Sequence, residues 1–225
     1  MRVIYLGVLL ASACAAQPES LTVYAAASLR EIVTEIGDAW GRSRGARVEY
    51  RFESSDTLAR QIREGAAADL FLSADPKWVG ELETLDSFPW IGNRLVCVRR
   101  KGASTPDLAT VGSLALGSEG SPIGRYSLAA LRSLGLSLPA RNIYGANVRD
   151  VLSKVAEGAA EAGIVYATDV AVDPRVETAF ELPAPSQPRI VYPVALLTER
   201  GRELYGAFRA PSALAAAKRR GFSDP

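Results

Sequence analysis

The segments L21-T-V-Y-A-A-A-S-L-R-E31 and V48-E-Y-R-F-E-S-S-D-T-L-A-R-Q-I62 share one design: a short apolar run, then serine, then a helical pattern. A serine at a helix start lies beside the free N–H groups of the first turn, where the helix dipole favours negative charge. Such a place binds oxyanions. Two of them in one half of the chain suggest a cage for one small anion between two lobes.

Apolar runs alternate with helical patterns along the rest of the chain. The predicted strands lie at 21–25, 47–52, 69–73, 93–98, 114–117, 141–144, 162–166 and 190–197, and the predicted helices at 28–43, 55–64, 122–134, 147–157 and 198–220, with a short one from residue 76. This alternation is typical of parallel strands joined by crossover helices. We therefore expect an α/β fold with two lobes, residues 21–91 plus 198–225 in lobe 1 and 92–197 in lobe 2.

Composition narrows the class of protein. The chain has 225 residues, 48% of them apolar, which is enough for a buried core. Its 26 basic and 25 acidic residues give a net charge of +1, so nothing favours a nucleic-acid partner. The absence of histidine excludes a Ser-His-Asp or Cys-His nucleophile system and removes the commonest metal ligand.

The amino-terminal segment has the pattern of a secretory signal. Arg2 precedes an apolar stretch and then small residues, so we expect a signal peptide over residues 1–16 and an exported protein. L10-A-S-A-C14 also resembles a lipoprotein cleavage box, which leaves lipidation at Cys14 and ordinary cleavage after Ala16 as alternatives. The other cysteine, Cys97, lies in an apolar run and is interpreted as a buried strand residue without chemistry.

Five positions are candidates for chemistry, and each has a structural alternative. Ser28 opens S-L-R-E, so a capping box with Glu31 would explain it, and Ser54 to Thr57 could be an ordinary cap. P122-I-G124 and N147-V-R149 resemble two further helix starts. Tyr166 ends an apolar strand, where its ring could be core or its hydroxyl could point into a cleft.

Seven motifs occur in order along the chain: A25-A-A-S-L29, F52-E-S-S-D-T-L-A-R-Q-I62, G65-A-A-A-D-L-F-L-S-A-D-P-K-W78, N93-R-L-V96, N147-V-R149, G163-I-V-Y166 and Y192-P-V-A195. Together they resemble one family, the periplasmic molybdate-binding proteins of ABC importers. The resemblance implies a two-lobed type II periplasmic-binding fold with a dehydrated tetrahedral oxyanion between the lobes. It also implies the ligand-binding residues: the hydroxyls of Ser28, Ser55 and Tyr166 and the backbone N–H groups of Ile123 and Val148.

The resemblance also implies molybdenum bound as the oxyanion, tungstate as a second ligand, a membrane permease as partner, an extracytoplasmic location, a monomer, no catalytic residue and no cofactor. A site made mostly of donors should reject an anion that carries an acidic proton. Three features depart from the family pattern: Asp56 stands where a small or hydroxylic residue is usual, Ile123 replaces a commoner alanine, and the span 78–93 is short, which we expect to trim a surface helix.

Other functions stay open at this point. The ligand could be another tetrahedral oxyanion, such as sulfate, thiosulfate or phosphate, since the residues define donor types better than cavity radius. An exported serine hydrolase is the enzyme alternative, although the chain lacks G-x-S-x-G, and S-x-x-K is missing at Ser28 and Ser55. A sensor that signals to a partner would need the same binding site.

Overall fold

The computed structural model describes residues 20–225, which form two lobes, each built on a five-stranded sheet. The predicted signal peptide and Cys14 lie outside the described residues. The strands are β1 (Ser20–Ala26), β2 (Arg47–Glu53), β3 (Leu70–Leu72), β4 (Asp86–Asn93), β5 (Leu95–Arg100), β6 (Ser113–Gly117), β7 (Arg141–Gly145), β8 (Ala162–Tyr166), β9 (Val176–Glu181) and β10 (Ile190–Leu196).

The helices follow the predicted pattern closely. They are α1 (Arg30–Arg44), α2 (Ser55–Arg63), α3 (Pro76–Val79), α4 (Pro122–Ser133), α5 (Val148–Ala156), α6 (Arg202–Arg209) and α7 (Pro211–Arg219). Helix α1 ends at Gly45, whose φ of 64° is the left-handed conformation that glycine adopts without strain. Within residues 20–225, no helix is long and apolar enough to cross a membrane.

The strand order of the first sheet is β2-β1-β3-β10-β4, and that of the second is β7-β6-β8-β5-β9. Strands β1, β2 and β3 are parallel, and β10 is antiparallel to both β3 and β4. In the second sheet β6 is parallel to β7 and β8, whereas β5 is antiparallel to β8 and β9. Each lobe thus combines a parallel βαβ core with antiparallel strands, which follow the core in lobe 1 and flank it in the chain in lobe 2.

One boundary of the predicted lobes is wrong. Ile190–Leu196, placed in lobe 2 from the sequence, forms β10 in the sheet of lobe 1 between β3 and β4. The chain therefore crosses between lobes at Arg94 and again over residues 182–189. The edge strands β4 and β9 are absent from the strands predicted by the sequence pattern. Strand β4 lies in the span 78–93, where we expect a surface helix to be shortened. The predicted packing of the C-terminal helices on lobe 1 is confirmed, since α6 and α7 contact α1.

The capping box with Glu31, the structural alternative for Ser28, is not formed. Ser28 lies inside a 3-10 turn, Ala27–Leu29, and α1 begins at Arg30 without a side-chain cap. The Glu31 carboxylate instead accepts hydrogen bonds from Arg149. Cys97 is buried in β5, as predicted, and burial raises the pKa of its thiol to about 12, so it is not a thiolate at neutral pH.

Candidate ligand-binding site

A small pocket lies between the lobes at the ends of β1, β2 and β8 and the starts of α2, α4 and α5. Its volume is about 20 Å³, far less than the roughly 300 to 1,000 Å³ of pockets for drug-sized ligands. All five sequence-predicted positions line it: Ser28, Ser55, Ile123, Val148 and Tyr166. Ala26, Ala27 and Ala74 also line the lobe 1 side, and these small side chains leave room for one small ion.

Lobe 1 contributes two buried hydroxyls. Ser55 is the first residue of α2 and is completely buried, and its Oγ accepts a hydrogen bond from the Ala74 N–H at 3.0 Å. The Ser28 hydroxyl lies 3.4 Å from the Tyr192 hydroxyl, and the Tyr192 Oη also accepts from Asn93 Nδ2 at 3.2 Å. Ser55 accepts in its bond and keeps its proton for an anion, whereas Ser28 donates to Tyr192 and must rotate its hydroxyl to donate to an anion.

Lobe 2 contributes the first-turn N–H groups of two helices. Ser121 caps α4 by accepting from the Gly124 N–H at 3.1 Å, and Asn147 caps α5 by accepting from the N–H groups of Arg149 and Asp150 at 3.0 and 3.2 Å. The first N–H groups of a helix have no acceptor within the helix itself. Both cap side chains therefore accept from residues later in the helix than Ile123 and Val148. The N–H groups of Ile123 and Val148 remain available to a ligand.

The helix α4 approaches the end of β6 closely, and Gly117 makes this possible. A Cβ at Gly117 would lie 2.4 Å from Ile123 Cγ2 and 2.7 Å from the Gly124 nitrogen. Any larger residue would push the first turn of α4 away from the strand end. The position of the Ile123 donor thus depends on a glycine in the neighbouring strand.

Tyr166 supplies the remaining hydroxyl. Its side chain is 1% exposed, its ring packs edge-on against Tyr192 with centroids 5.8 Å apart, and its Oη is buried without a hydrogen-bond partner in the described part of the chain. An unpaired buried hydroxyl is costly, so one at the wall of a pocket points to a polar ligand. Burial raises the pKa of Tyr166 well above its usual value, which keeps the hydroxyl protonated and able to donate.

The potential that favours an anion in the pocket comes from helix dipoles, whereas the Glu53 carboxylate in the lining opposes it. Neither lysine nor arginine is among the described residues that line it, whereas three helices begin there. Asp56 is not part of the lining. Its carboxylate faces Gly120 of the opposite lobe, where an added Cβ would lie 3.2 Å from Asp56 Oδ2. No group of three or more potential metal-ligating side chains occurs within residues 20–225.

Sequence reasoning missed three residues around the pocket. Glu53 lines it and accepts a hydrogen bond from Asn147 Nδ2 at 3.1 Å. Tyr192 contacts Ser28, and Asn93 connects Tyr192 to Thr168 through a 2.9 Å hydrogen bond. Tyr192 and Asn93 stand in quoted motifs, but their position beside Ser28 depends on strand order, which the local pattern does not reveal.

Comparisons with known proteins agree with this architecture. A family model described as bacterial extracellular solute-binding protein matches residues 21–223. The molybdate-binding protein ModA of Escherichia coli is 34% identical over 90% of this chain and 88% of its own length. A putative ABC transporter substrate-binding lipoprotein, YvgL of Bacillus subtilis, is 32% identical over 91% and 86%.

The solved structure of a periplasmic molybdate-binding protein from Azotobacter vinelandii superposes with a TM-score of 0.79 at 22% identity, covering 91% of this chain and 99% of that one. This likeness confirms the predicted two-lobed type II fold. Together with the match of the family model over nearly all described residues, it establishes that the chain belongs to the bacterial extracellular solute-binding proteins.

Proposed function

We propose that this chain captures molybdate, and tungstate as well, outside the cytoplasm and delivers it to the membrane permease of an ABC importer. One observation carries the proposal: five donors on five different segments line a single small pocket, and one of them, the Tyr166 hydroxyl, is buried without a partner among residues 20–225. The names of the Escherichia coli and Bacillus subtilis relatives support the ligand and the importer, respectively.

The donor set suits a dehydrated tetrahedral dianion. Hydrogen bonds to a charged acceptor are short and strong, and helix starts add a favourable potential without a basic side chain. A protonated anion such as hydrogen phosphate needs an acceptor for its own proton, which hydroxyls and N–H groups provide poorly. Molybdate and tungstate have no such proton at neutral pH.

The chain is a binding protein and not an enzyme. Its pocket serines have no histidine to activate them, because the sequence contains none. We propose further that the protein acts as a monomer without a cofactor. Lipidation at Cys14 and cleavage after Ala16 remain the two forms of export, and the mass of the mature amino terminus distinguishes them.

Isothermal titration of the purified exported protein tests the proposal. We expect molybdate and tungstate to bind, and each to raise the melting temperature, because a ligand at 100 times its Kd stabilises the folded state by about 2.7 kcal/mol. Sulfate, thiosulfate and phosphate are the comparison ligands. Tight binding of one of these, with no heat from molybdate, would assign the site to that anion instead.

A further inference from the structure

Arg149 connects the two lobes directly beside the pocket. Its Nη1 and Nη2 donate to Glu31 Oε1 and Oε2 at 3.0 and 2.7 Å, and its Nε donates to Asp169 Oδ1 at 2.6 Å. Glu31 is on α1 in lobe 1, whereas Arg149 and Asp169 belong to lobe 2. The guanidinium therefore forms one contact within its own lobe and a bidentate contact across the cleft.

The two contacts differ in what they would do if the lobes separated. Asp169 is completely buried and follows β8, so it would move with Arg149 and keep the guanidinium in place. The side chain of Glu31 is 37% exposed and would be hydrated at once. Only the pair between Arg149 and Glu31 would break. Because Asp169 already orients the Arg149 guanidinium, the side chain loses little conformational entropy when it binds the Glu31 carboxylate. This small entropic cost favours closure of the lobes.

Two neighbours of Val148 form contacts across the cleft, in addition to the Asn93–Thr168 hydrogen bond and the Arg125–Asp75 ion pair at 3.6 Å. Arg149 binds Glu31 on one side, and on the other Asn147 Nδ2 donates to Glu53 Oε2 at 3.1 Å. Helix α5 also contacts the Ala27–Leu29 turn that carries Ser28. An anion held by Ser28 and the Val148 N–H requires this turn and the start of α5 to be adjacent, and the pair between Arg149 and Glu31 requires the same arrangement.

We propose that Arg149 is a positioning residue that holds the lobes closed through Glu31, and that it thereby slows release of the anion bound at Val148. The slower release of the anion rests on the proposed function, whereas the closure of the lobes by Arg149 and Glu31 is independent of it. The pair acts through the placement of the Val148 donor, since neither Arg149 nor Glu31 is among the described residues lining the pocket.

The test variant is Glu31→Gln. The amide replaces one acceptor with a donor that faces the Arg149 fork, while Asp169 keeps its partner. A change at Arg149 itself would leave Asp169 buried and uncompensated and could impair folding. Glu35→Gln is the matched control, because Glu35 lies one turn later on α1 and binds Arg220 at 2.7 Å within lobe 1.

The first measurement is molybdate dissociation followed by stopped-flow fluorescence. We expect Glu31→Gln to raise the dissociation rate on the order of 10-fold, as loss of a charge-assisted hydrogen bond implies, with the association rate nearly unaltered. Glu35→Gln should change neither rate by more than about 2-fold. Equal dissociation rates for the two variants would overturn the proposal.

The second measurement needs no ligand. Small-angle X-ray scattering of the ligand-free proteins should give a larger radius of gyration for Glu31→Gln than for wild type and Glu35→Gln. If molybdate does not bind at all, the proposed function fails, yet this difference in opening still supports the role of Arg149. Identical scattering of all three proteins would overturn that role, whatever the ligand.

Discussion

Ser55 Oγ accepts a 3.0 Å hydrogen bond from the backbone N–H of Ala74, which lies two residues after the end of β3. A hydroxyl has one proton, and accepting from Ala74 leaves that proton to donate elsewhere. Since Ser55 is completely buried and lines the pocket, the bound anion is the natural acceptor. The Ala74 N–H thus orients a serine for binding.

Ser55→Ala should weaken molybdate binding by roughly 10- to 100-fold, because a hydrogen bond to a charged group is worth about 1.5 to 3 kcal/mol. Ser73→Ala is the control, since Ser73 is equally buried but bonds the Asp75 backbone and does not line the pocket. Isothermal titration of both variants checks this. Equal losses of affinity would show a general effect of cavity formation.

Tyr166→Phe should have opposite effects on binding and stability. It removes a donor from the ligand, which should weaken binding at least about 10-fold. It also removes a buried hydroxyl that has no partner among residues 20–225, so the ligand-free protein should be as stable as wild type or more stable by up to about 1 kcal/mol. Urea unfolding without ligand, beside titration with molybdate, separates the two. A less stable ligand-free variant would mean that this hydroxyl has a partner in the protein.

Tyr192→Phe should have a smaller effect on binding than Tyr166→Phe. The Tyr192 hydroxyl does not line the pocket but lies between Asn93 and Ser28. Its loss frees the Ser28 proton but leaves the Ser28 hydroxyl less well oriented, so affinity should fall only a few-fold while stability falls by about 1 kcal/mol. An affinity loss as large as that of Tyr166→Phe would place Tyr192 in contact with the anion.

The two acidic residues near the pocket should behave differently. Asp56→Ser should leave affinity nearly unaltered at low and high salt, because Asp56 is not part of the lining. Glu53→Gln removes a like charge from the lining yet keeps an acceptor for Asn147, so it should tighten binding at low salt, with a gain that shrinks at high salt. Titration at two salt concentrations decides between them. A salt-sensitive gain for Asp56→Ser would show that its carboxylate turns toward the anion.

Asp169 should make stability depend on pH. Burial raises its pKa from about 3.8 to about 6, with Arg149 acting in the opposite direction. The folded state then binds the proton more tightly than the unfolded state, so this contribution to stability is present below pH 3.8 and is lost as pH rises to about 6.

Asp169→Asn should remove that dependence. The stability of the variant relative to wild type should increase with pH by at most about 1.4 kcal/mol per unit within this window and stay constant above it. Urea unfolding of both proteins from pH 4 to 8 measures the difference. A relative stability that falls with pH would show that Arg149, and not burial, dominates the pKa of Asp169.

The five proposed donors could be located from the sequence because each depends on a local feature. A helix start has free N–H groups wherever it occurs, and caps such as Ser121 and Asn147 can be recognised from the residues that follow them. The order of apolar runs and helical patterns likewise indicated two α/β lobes. The resemblance then selected Ile123 and Val148 among the several N–H groups at each start.

Tertiary structure alone decided which sheet each strand joined and which side chains met. The apolar run of β10 would suit either lobe, because a fully buried strand has the same apolar pattern in either sheet. Its pairing with β3 places Tyr192 beside Ser28. Glu31 and Arg149 are 118 positions apart in the chain. In the sequence, these charges are equally compatible with a helix cap and with a solvated surface. Only the packing of α5 against lobe 1 makes the two residues partners. Contacts between distant segments depend on strand order, which the local pattern does not determine.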